Sequence, residues 1–218
     1  MCSVGESKSL WVFDNDGTLY DDTGAQKHFL HIMYQYSSKL LGINPQETES
    51  VVTTLKDKWS TEFSVIALMR ELNLEYSEIV SSTYMKLDLV TCGIVAPDLI
   101  RAHTLERITA PKIVFTNNPS LFANKVLSYV GLVRYFDDIV GMEETEFYGK
   151  PHLRAFEIVQ TRHPNIGRFI FCDDSLKNLD AAKEFGWNTL YYNPRGDLDN
   201  LEHGHQIISS FSELSKVI

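Results

Sequence analysis

Four short apolar runs, each ending abruptly in polar residues, constrain the fold of this chain more than any other feature. Leu10-Trp11-Val12-Phe13 runs into Asp14-Asn15-Asp16-Gly17-Thr18, and Ile113-Val114-Phe115 into Thr116-Asn117-Asn118. Phe169-Ile170-Phe171-Cys172 runs into Asp173-Asp174, and Thr189-Leu190-Tyr191-Tyr192 into Asn193-Pro194. Unbroken runs of this length, rich in β-branched and aromatic residues, suit strands buried on both faces, as in a parallel sheet. Helical patterns lie between them. Leu121, Phe122, Val126, Leu127 and Val130 recur at helical spacing behind Pro119 and stop at Gly131; residues 175–185 repeat the pattern before Gly186, and 152–162 before Pro164. Strand alternating with helix predicts an α/β fold of right-handed crossovers, a doubly wound, Rossmann-like parallel sheet that binds ligands beyond the carboxyl ends of its strands. All four polar clusters follow strand ends.

The stretch from Thr23 to about Gly93 differs, because it shows helical periodicity and no convincing strand. Phe29, Met33, Tyr36 and Leu40 make one face, Gly42 and Pro45 end that helix, and further helical segments follow over 51–59, 63–72 and 77–87. The expectation is a core domain built from residues 1–21 and 94–218. An all-helical cap domain, residues 22–93, is inserted over the carboxyl end of the first strand.

Composition narrows the function classes. With 218 residues, 44% of them hydrophobic, the chain buries a core without disulfide or structural-metal staples. A net charge of −9 with no Lys/Arg run argues against nucleic-acid and membrane-surface partners. Cys2, Cys92 and Cys172 are an odd, scattered set without a CxxC pair, which reads as reduced thiols in a cytoplasmic protein. The first ten residues lack the apolar stretch of a signal peptide, and no later run is long enough to span a bilayer. The seven histidines show no HExxH or other ligand spacing. Nothing in the pattern selects between monomer and homodimer.

Asp14 and Asp16 stand two apart at a strand end, which puts like charges close together unless the backbone turns between them. Alone, such a pair is most simply a loop cap in which Asp14 and Thr18 satisfy backbone N–H groups. Its company shifts the balance: Thr116, Lys150 within Gly149-Lys150-Pro151, and Asp173-Asp174 follow in order, at positions where an α/β sheet presents ligand-binding groups. This set resembles the haloacid dehalogenase-like superfamily in its phosphatase branch. Asp14-Asn15-Asp16-Gly17-Thr18-Leu19-Tyr20 matches the first motif, Thr116 the second, Lys150 the third and Asp173-Asp174 the fourth, and the helical insert resembles the type 1 cap.

The resemblance implies a Mg²⁺-dependent hydrolase of a small phosphorylated metabolite. Asp14 is then the nucleophile that forms an aspartyl-phosphate, and Asp16 the acid that protonates the leaving oxygen and later the base that deprotonates water. Lys150 lies against Asp14 and the phosphoryl group, while Thr116 and the backbone N–H of Asn117 hold phosphate oxygens. The implied metal ligands are the Asp14 carboxylate, the Asp16 backbone carbonyl and the Asp174 carboxylate. Asp173 is either a further ligand or sits behind Asp174, and Asn178 stands where many members carry another Asp.

The Asp-Asp-Ser-x-x-Asn tail and Leu19-Tyr20 are similar to pyrimidine 5′-nucleotidase-like members, which implies a nucleoside 5′-monophosphate. Asn15 and Gly17 depart from that branch, where an apolar residue and Asn are usual. Sugar phosphates and phosphoglycolate are the alternative substrates, and a phosphomutase or a non-catalytic interaction protein are the alternative functions. Asp16 occupies an acid/base position that dehalogenases lack.

Overall fold

The computed structural model describes residues 8–196 and 204–217. Cys2 and the first seven residues of the leader reading lie outside them. The chain divides into two compact units, one of residues 1–21 and 95–218, the other of residues 22–94.

The first unit is a six-stranded sheet in which all neighbours are parallel, in the order β3-β2-β1-β4-β5-β6. The strands are β1 (Ser9–Phe13), β2 (Lys112–Phe115), β3 (Asp138–Val140), β4 (Arg168–Asp173), β5 (Asn188–Tyr192) and β6 (Gln206–Ile208). The four apolar runs form β1, β2, β4 and β5, so the expected doubly wound parallel core is the observed one. The two strands the patterning does not reveal, β3 and β6, are the edges. Each spans three residues with one buried position, too short and too exposed to register as an apolar run.

Helices α6 (Ser120–Val130), α7 (Leu153–Arg162) and α8 (Leu176–Glu184) connect the strands as expected, and Gly131 and Gly186 take left-handed φ just beyond α6 and α8. An additional helix, α5 (Leu99–Arg107), precedes β2. Its exposed Leu99 and Ile100 break the one-sided apolar spacing by which a helix is read. The core is strongly aromatic: Phe156 meets Phe115, Phe171 and Trp187 edge-on at centroid distances of 5.3, 6.0 and 5.4 Å.

Arg101 on α5 ties three segments together. Its Nε donates to the Thr18 carbonyl at 3.0 Å, one terminal nitrogen to the Tyr192 hydroxyl at 3.0 Å and the other to Asp98 at 2.6 Å. The guanidinium also lies 5.2 Å from the Phe211 ring centroid.

The second unit contains α1 (Thr23–Leu41), α2 (Thr48–Lys58), α3 (Ser64–Leu72) and α4 (Tyr76–Ser82), and no strand among its residues. The segment expected over 77–87 is broken at Thr83, whose hydroxyl donates back to the Ile79 carbonyl at 2.7 Å, and the chain continues as a 3₁₀ turn over Tyr84–Lys86. On α1 the buried positions are Ala25, Met33, Ser37 and Ser38, so Met33 alone of the four expected face residues is fully covered. The buried serine hydroxyls are satisfied by the carbonyls of Met33 and Ile43. The two ends of the unit meet closely at Gly24, where a β-carbon would lie 1.9 Å from the Cys92 carbonyl oxygen, so no larger residue fits. Among the described residues no helix is long and apolar enough to cross a membrane.

Candidate active site

Strand register brings the acidic residues together. Phe13 pairs with Cys172 across β1 and β4, and the Asp14 N–H donates to the Cys172 carbonyl at 2.9 Å. Asp14 and Asp173, each one residue further on, therefore end side by side on adjacent strands about 4.8 Å apart. Phe13 also pairs with Val114 on the other flank, which carries Thr116, just past β2, to the same end of the sheet. This is the carboxyl end of the central strands, where the order reverses direction.

Lys150 is almost wholly buried and reaches into this end. Its ammonium donates to Asp14 Oδ1 at 2.6 Å, to the Phe115 carbonyl at 2.7 Å and to Asp173 Oδ2 at 3.0 Å, which uses all three of its protons. The rings of Phe115 and Phe171 lie 5.1 and 5.2 Å from it. Burial by itself would lower the Lys150 pKa, but Asp14 and Asp173 outweigh it and hold the ammonium above its ordinary range.

Lys150 is fixed through its backbone by Asn117. The Asn117 amide donates to the Lys150 carbonyl at 2.8 Å, and the Lys150 N–H donates to Asn117 Oδ1 at 2.6 Å. The expectation for Asn117 concerned its backbone N–H, whereas the side chain is committed to the lysine. Nothing in the sequence signals a side chain that pairs with both backbone groups of a residue 33 positions away.

Asp173 has no exposed surface and its oxygens are crowded with donors. Oδ1 accepts from the Ser175 N–H at 2.7 Å, Oδ2 accepts from Lys150, and the Asn178 amide reaches both at 3.1 and 3.0 Å. Asn178 is thus a clamp on Asp173. Asp174, one residue on, is exposed.

The Asp16 carboxylate has its own partners. Tyr20 donates its hydroxyl to Oδ1, and Oδ2 accepts from the Thr116 hydroxyl at 3.1 Å and from the Asn15 amide at 3.4 Å. Burial raises the Asp16 pKa above the ordinary carboxylate value, with Tyr20, Thr116, Lys150 and Asn15 opposing. Tyr20 stands within the first motif of the sequence, but its bond to Asp16 was not anticipated there, although a hydroxyl four residues beyond a strand-end acid in a turn was the available signal.

One oxygen each from Asp14, Asp173 and Asp174 lie within 4.8 Å of one another. Burial pushes the Asp14 pKa well up; Lys150 pulls it down, and Asp173, Asp16 and Asp174 push it further up. Such a cluster repels itself unless a cation enters, and a divalent ion reverses the balance. The all-oxygen donor set suits a hard cation such as Mg²⁺. The backbone is shaped to one of these groups as well: Gly17 has φ +75°, and a β-carbon there would stand 2.3 Å from Asp174 Oδ2. The residues present fit the metal.

The fold recurs among solved structures. A haloacid dehalogenase-like (HAD) phosphatase from Thermococcus onnurineus is 21% identical over 96% of this chain and 97% of its own, with a TM-score of 0.66. The putative HAD-hydrolase YfnB from Bacillus subtilis, bound to magnesium, is 18% identical over 97% of this chain and 99% of its own, with a TM-score of 0.59. The L-2-haloacid dehalogenase from Xanthobacter autotrophicus with chloropropionic acid covalently bound is 14% identical over 96% of this chain and 98% of its own, with a TM-score of 0.57. A family model for haloacid dehalogenase-like hydrolases matches residues 9–186, which takes in β1, the insert, the ends of β2 and β4 beside Thr116 and Asp173, and the turn before α7 that bears Lys150. With most of its length matched, this chain belongs to the haloacid dehalogenase-like hydrolases.

Proposed function

We propose that this hydrolase cleaves phosphate monoesters of small metabolites, with Asp14 as nucleophile and Asp16 as acid and base. The observation that carries the reading is the division between the two carboxylates. Asp14 is paired with Lys150 and faces the acidic cluster, whereas Asp16 is held by Tyr20 and Thr116. One fold position thus supplies an attacking oxygen and a separate proton carrier, as ester hydrolysis through an aspartyl-phosphate requires. Lys150 offsets charge where the dianion meets Asp14, and Thr116 supplies a hydroxyl to a phosphate oxygen. Asp14 and Asp174, with the Asp16 backbone carbonyl, would hold Mg²⁺, and Asp173 would stand behind them because its oxygens already accept four contacts. The ion, when bound, neutralises phosphate charge.

The Asp-Asp-Ser-x-x-Asn tail supports a nucleoside 5′-monophosphate as the substrate class. Gly17 sets this chain apart from the nucleotidase-like members, since an asparagine there would require Asp174 to move. Cys172 is a buried free cysteine, which supports a cytoplasmic setting.

The test is phosphate release from p-nitrophenyl phosphate with Mg²⁺, then from a panel of pyrimidine nucleoside monophosphates, sugar phosphates and phosphoglycolate. Activity that EDTA removes, Mg²⁺ restores and Asp14→Asn abolishes is the expected result. Asp14→Asn retaining activity within about tenfold, or 1.4 kcal/mol of barrier, would refute the assignment once deamidation is excluded by mass spectrometry. Turnover that requires glucose 1,6-bisphosphate would point to a mutase.

A further inference from the structure

Each oxygen of the Asp16 carboxylate has a hydroxyl donor, and the two donors differ in kind. Tyr20, on Oδ1, is 3% exposed and belongs to a braced turn. The Leu19 N–H donates to the Asn15 carbonyl at 2.8 Å, Arg101 holds the Thr18 carbonyl, and Asp16 and Tyr20 form an isolated β-bridge. None of these contacts involves a phosphate-binding group. Thr116, on Oδ2, accepts from the Asn118 N–H at 3.0 Å and directs its hydroxyl proton to Asp16 at 3.1 Å. A threonine hydroxyl carries one proton, so it cannot serve Asp16 and a phosphate oxygen together.

We propose that Tyr20 is a positioning residue that anchors Asp16 by Oδ1, so that Oδ2, released by Thr116 when phosphate arrives, is the oxygen that carries the proton to the leaving group. This rests on the phosphatase reading above. Because Tyr20 donates to Oδ1, that oxygen is the acceptor and the acid proton resides on Oδ2. As the Asp14 oxygen bonds to phosphorus, the bond from phosphorus to the ester oxygen breaks and its electron pair stays on that oxygen. The Oδ2 proton of Asp16 moves to it, giving a neutral alcohol and a phosphorylated Asp14. Without Tyr20 the carboxyl group loses its fixed end and turns about its side-chain bonds. The proton is then poorly aimed where a poor leaving group needs it most.

The experiment is a series of para-substituted phenyl phosphates assayed for kcat/KM with wild type and Tyr20→Phe. Because kcat/KM stops at departure of the leaving group, later hydrolysis of the phosphoenzyme does not blur the comparison. The variant is expected to lose about ten- to a hundredfold on phenyl phosphate, a part of the 10²–10⁴ that general acid catalysis supplies. On p-nitrophenyl phosphate, whose leaving group needs little protonation, it should stay within about threefold of wild type. An equal loss across the series, the mark of a purely structural role, would overturn the proposal, as would no loss at all. A second comparison does not depend on the absolute activity of Tyr20→Phe. In the Asp16→Asn background, Tyr20→Phe should change kcat/KM for p-nitrophenyl phosphate by less than about twofold, because a residue that acts through Asp16 has nothing left to position. A further large loss there would also overturn it. Wild-type hydrolysis that Asp14→Asn abolishes keeps the phosphatase reading intact whichever way the Tyr20→Phe comparison falls, whereas absence of that hydrolysis would overturn the phosphatase reading and this proposal with it.

Discussion

Replacing Asp173 and Asp174 by alanine, one at a time, separates the residue that holds the site together from the one that serves the metal. Asp173 accepts from the Lys150 ammonium, the Ser175 N–H and the Asn178 amide, all buried or partly buried. Asp173→Ala leaves Lys150 with one carboxylate partner and the amide with none of its contacts to Asp173. Breaking a buried ion pair costs about 3–5 kcal/mol, and each stranded donor about 1–3 kcal/mol. These losses overlap, because Asp14 still holds Lys150 and water enters the space left behind, so about 3–5 kcal/mol is the expected total. For a chain of this size that lowers the melting temperature by roughly 6–20 °C. Asp174 is exposed, and its removal lifts a like charge from Asp14. Asp174→Ala is therefore expected to change metal-free stability by less than about 1 kcal/mol. Its effect belongs to the metal: the rise in melting temperature that Mg²⁺ gives the wild type should largely vanish. Differential scanning calorimetry in EDTA and in excess Mg²⁺ is the assay, since it resolves the two units should they melt separately. Equal losses in EDTA for the two variants, or an unchanged Mg²⁺ response in Asp174→Ala, would refute the reasoning.

Two further predictions follow from contacts at the same strand ends. Asn117→Ala removes both hydrogen bonds that fix the Lys150 backbone, about 1–3 kcal/mol in all, so kcat/KM should fall roughly five- to 150-fold. A variant within twofold of wild type would show that strand packing alone holds the lysine. Gly17→Ala forces a left-handed residue with a β-carbon 2.3 Å from Asp174 Oδ2. It should cost about 1–2 kcal/mol of stability and raise the Mg²⁺ concentration for half-maximal activity by more than about tenfold. An unchanged Mg²⁺ dependence would refute the view that Gly17 is shaped to the Asp174 carboxylate.

How much of this was legible in the sequence depended on whether a feature is repeated or unique. The apolar runs of β1, β2, β4 and β5 announce themselves because burial on both faces demands apolar residues at every position. The three-residue edges β3 and β6 each have only one buried position and carry no such demand. The convergence of Asp14, Thr116 and Asp173 was legible too, because parallel strands of one sheet end on one side. Which of Asp173 and Asp174 faces Lys150 was not, since neighbouring strand residues point opposite ways and the phase is fixed only by register. The Asn117 clamp and the Tyr20 anchor lay further out of reach. One ends on the backbone of a distant residue and the other depends on the turn of a single loop, and neither leaves a periodic trace.

Arg101 gives the loop that bears Asp14 and Asp16 an order of completion. The Thr18 carbonyl leans on a guanidinium that is itself steadied by Tyr192 and Phe211, residues made 174 and 193 positions after Thr18. A growing chain therefore has Asp14, Asp16, Thr116, Lys150, Asp173 and Asp174 in hand once Asp174 has emerged, yet still lacks the last struts of its first loop. The loop translated first receives its last support late, and a nascent or shortened chain that ends before Tyr192 holds the Thr18 carbonyl through an Arg101 that lacks both Tyr192 and Phe211.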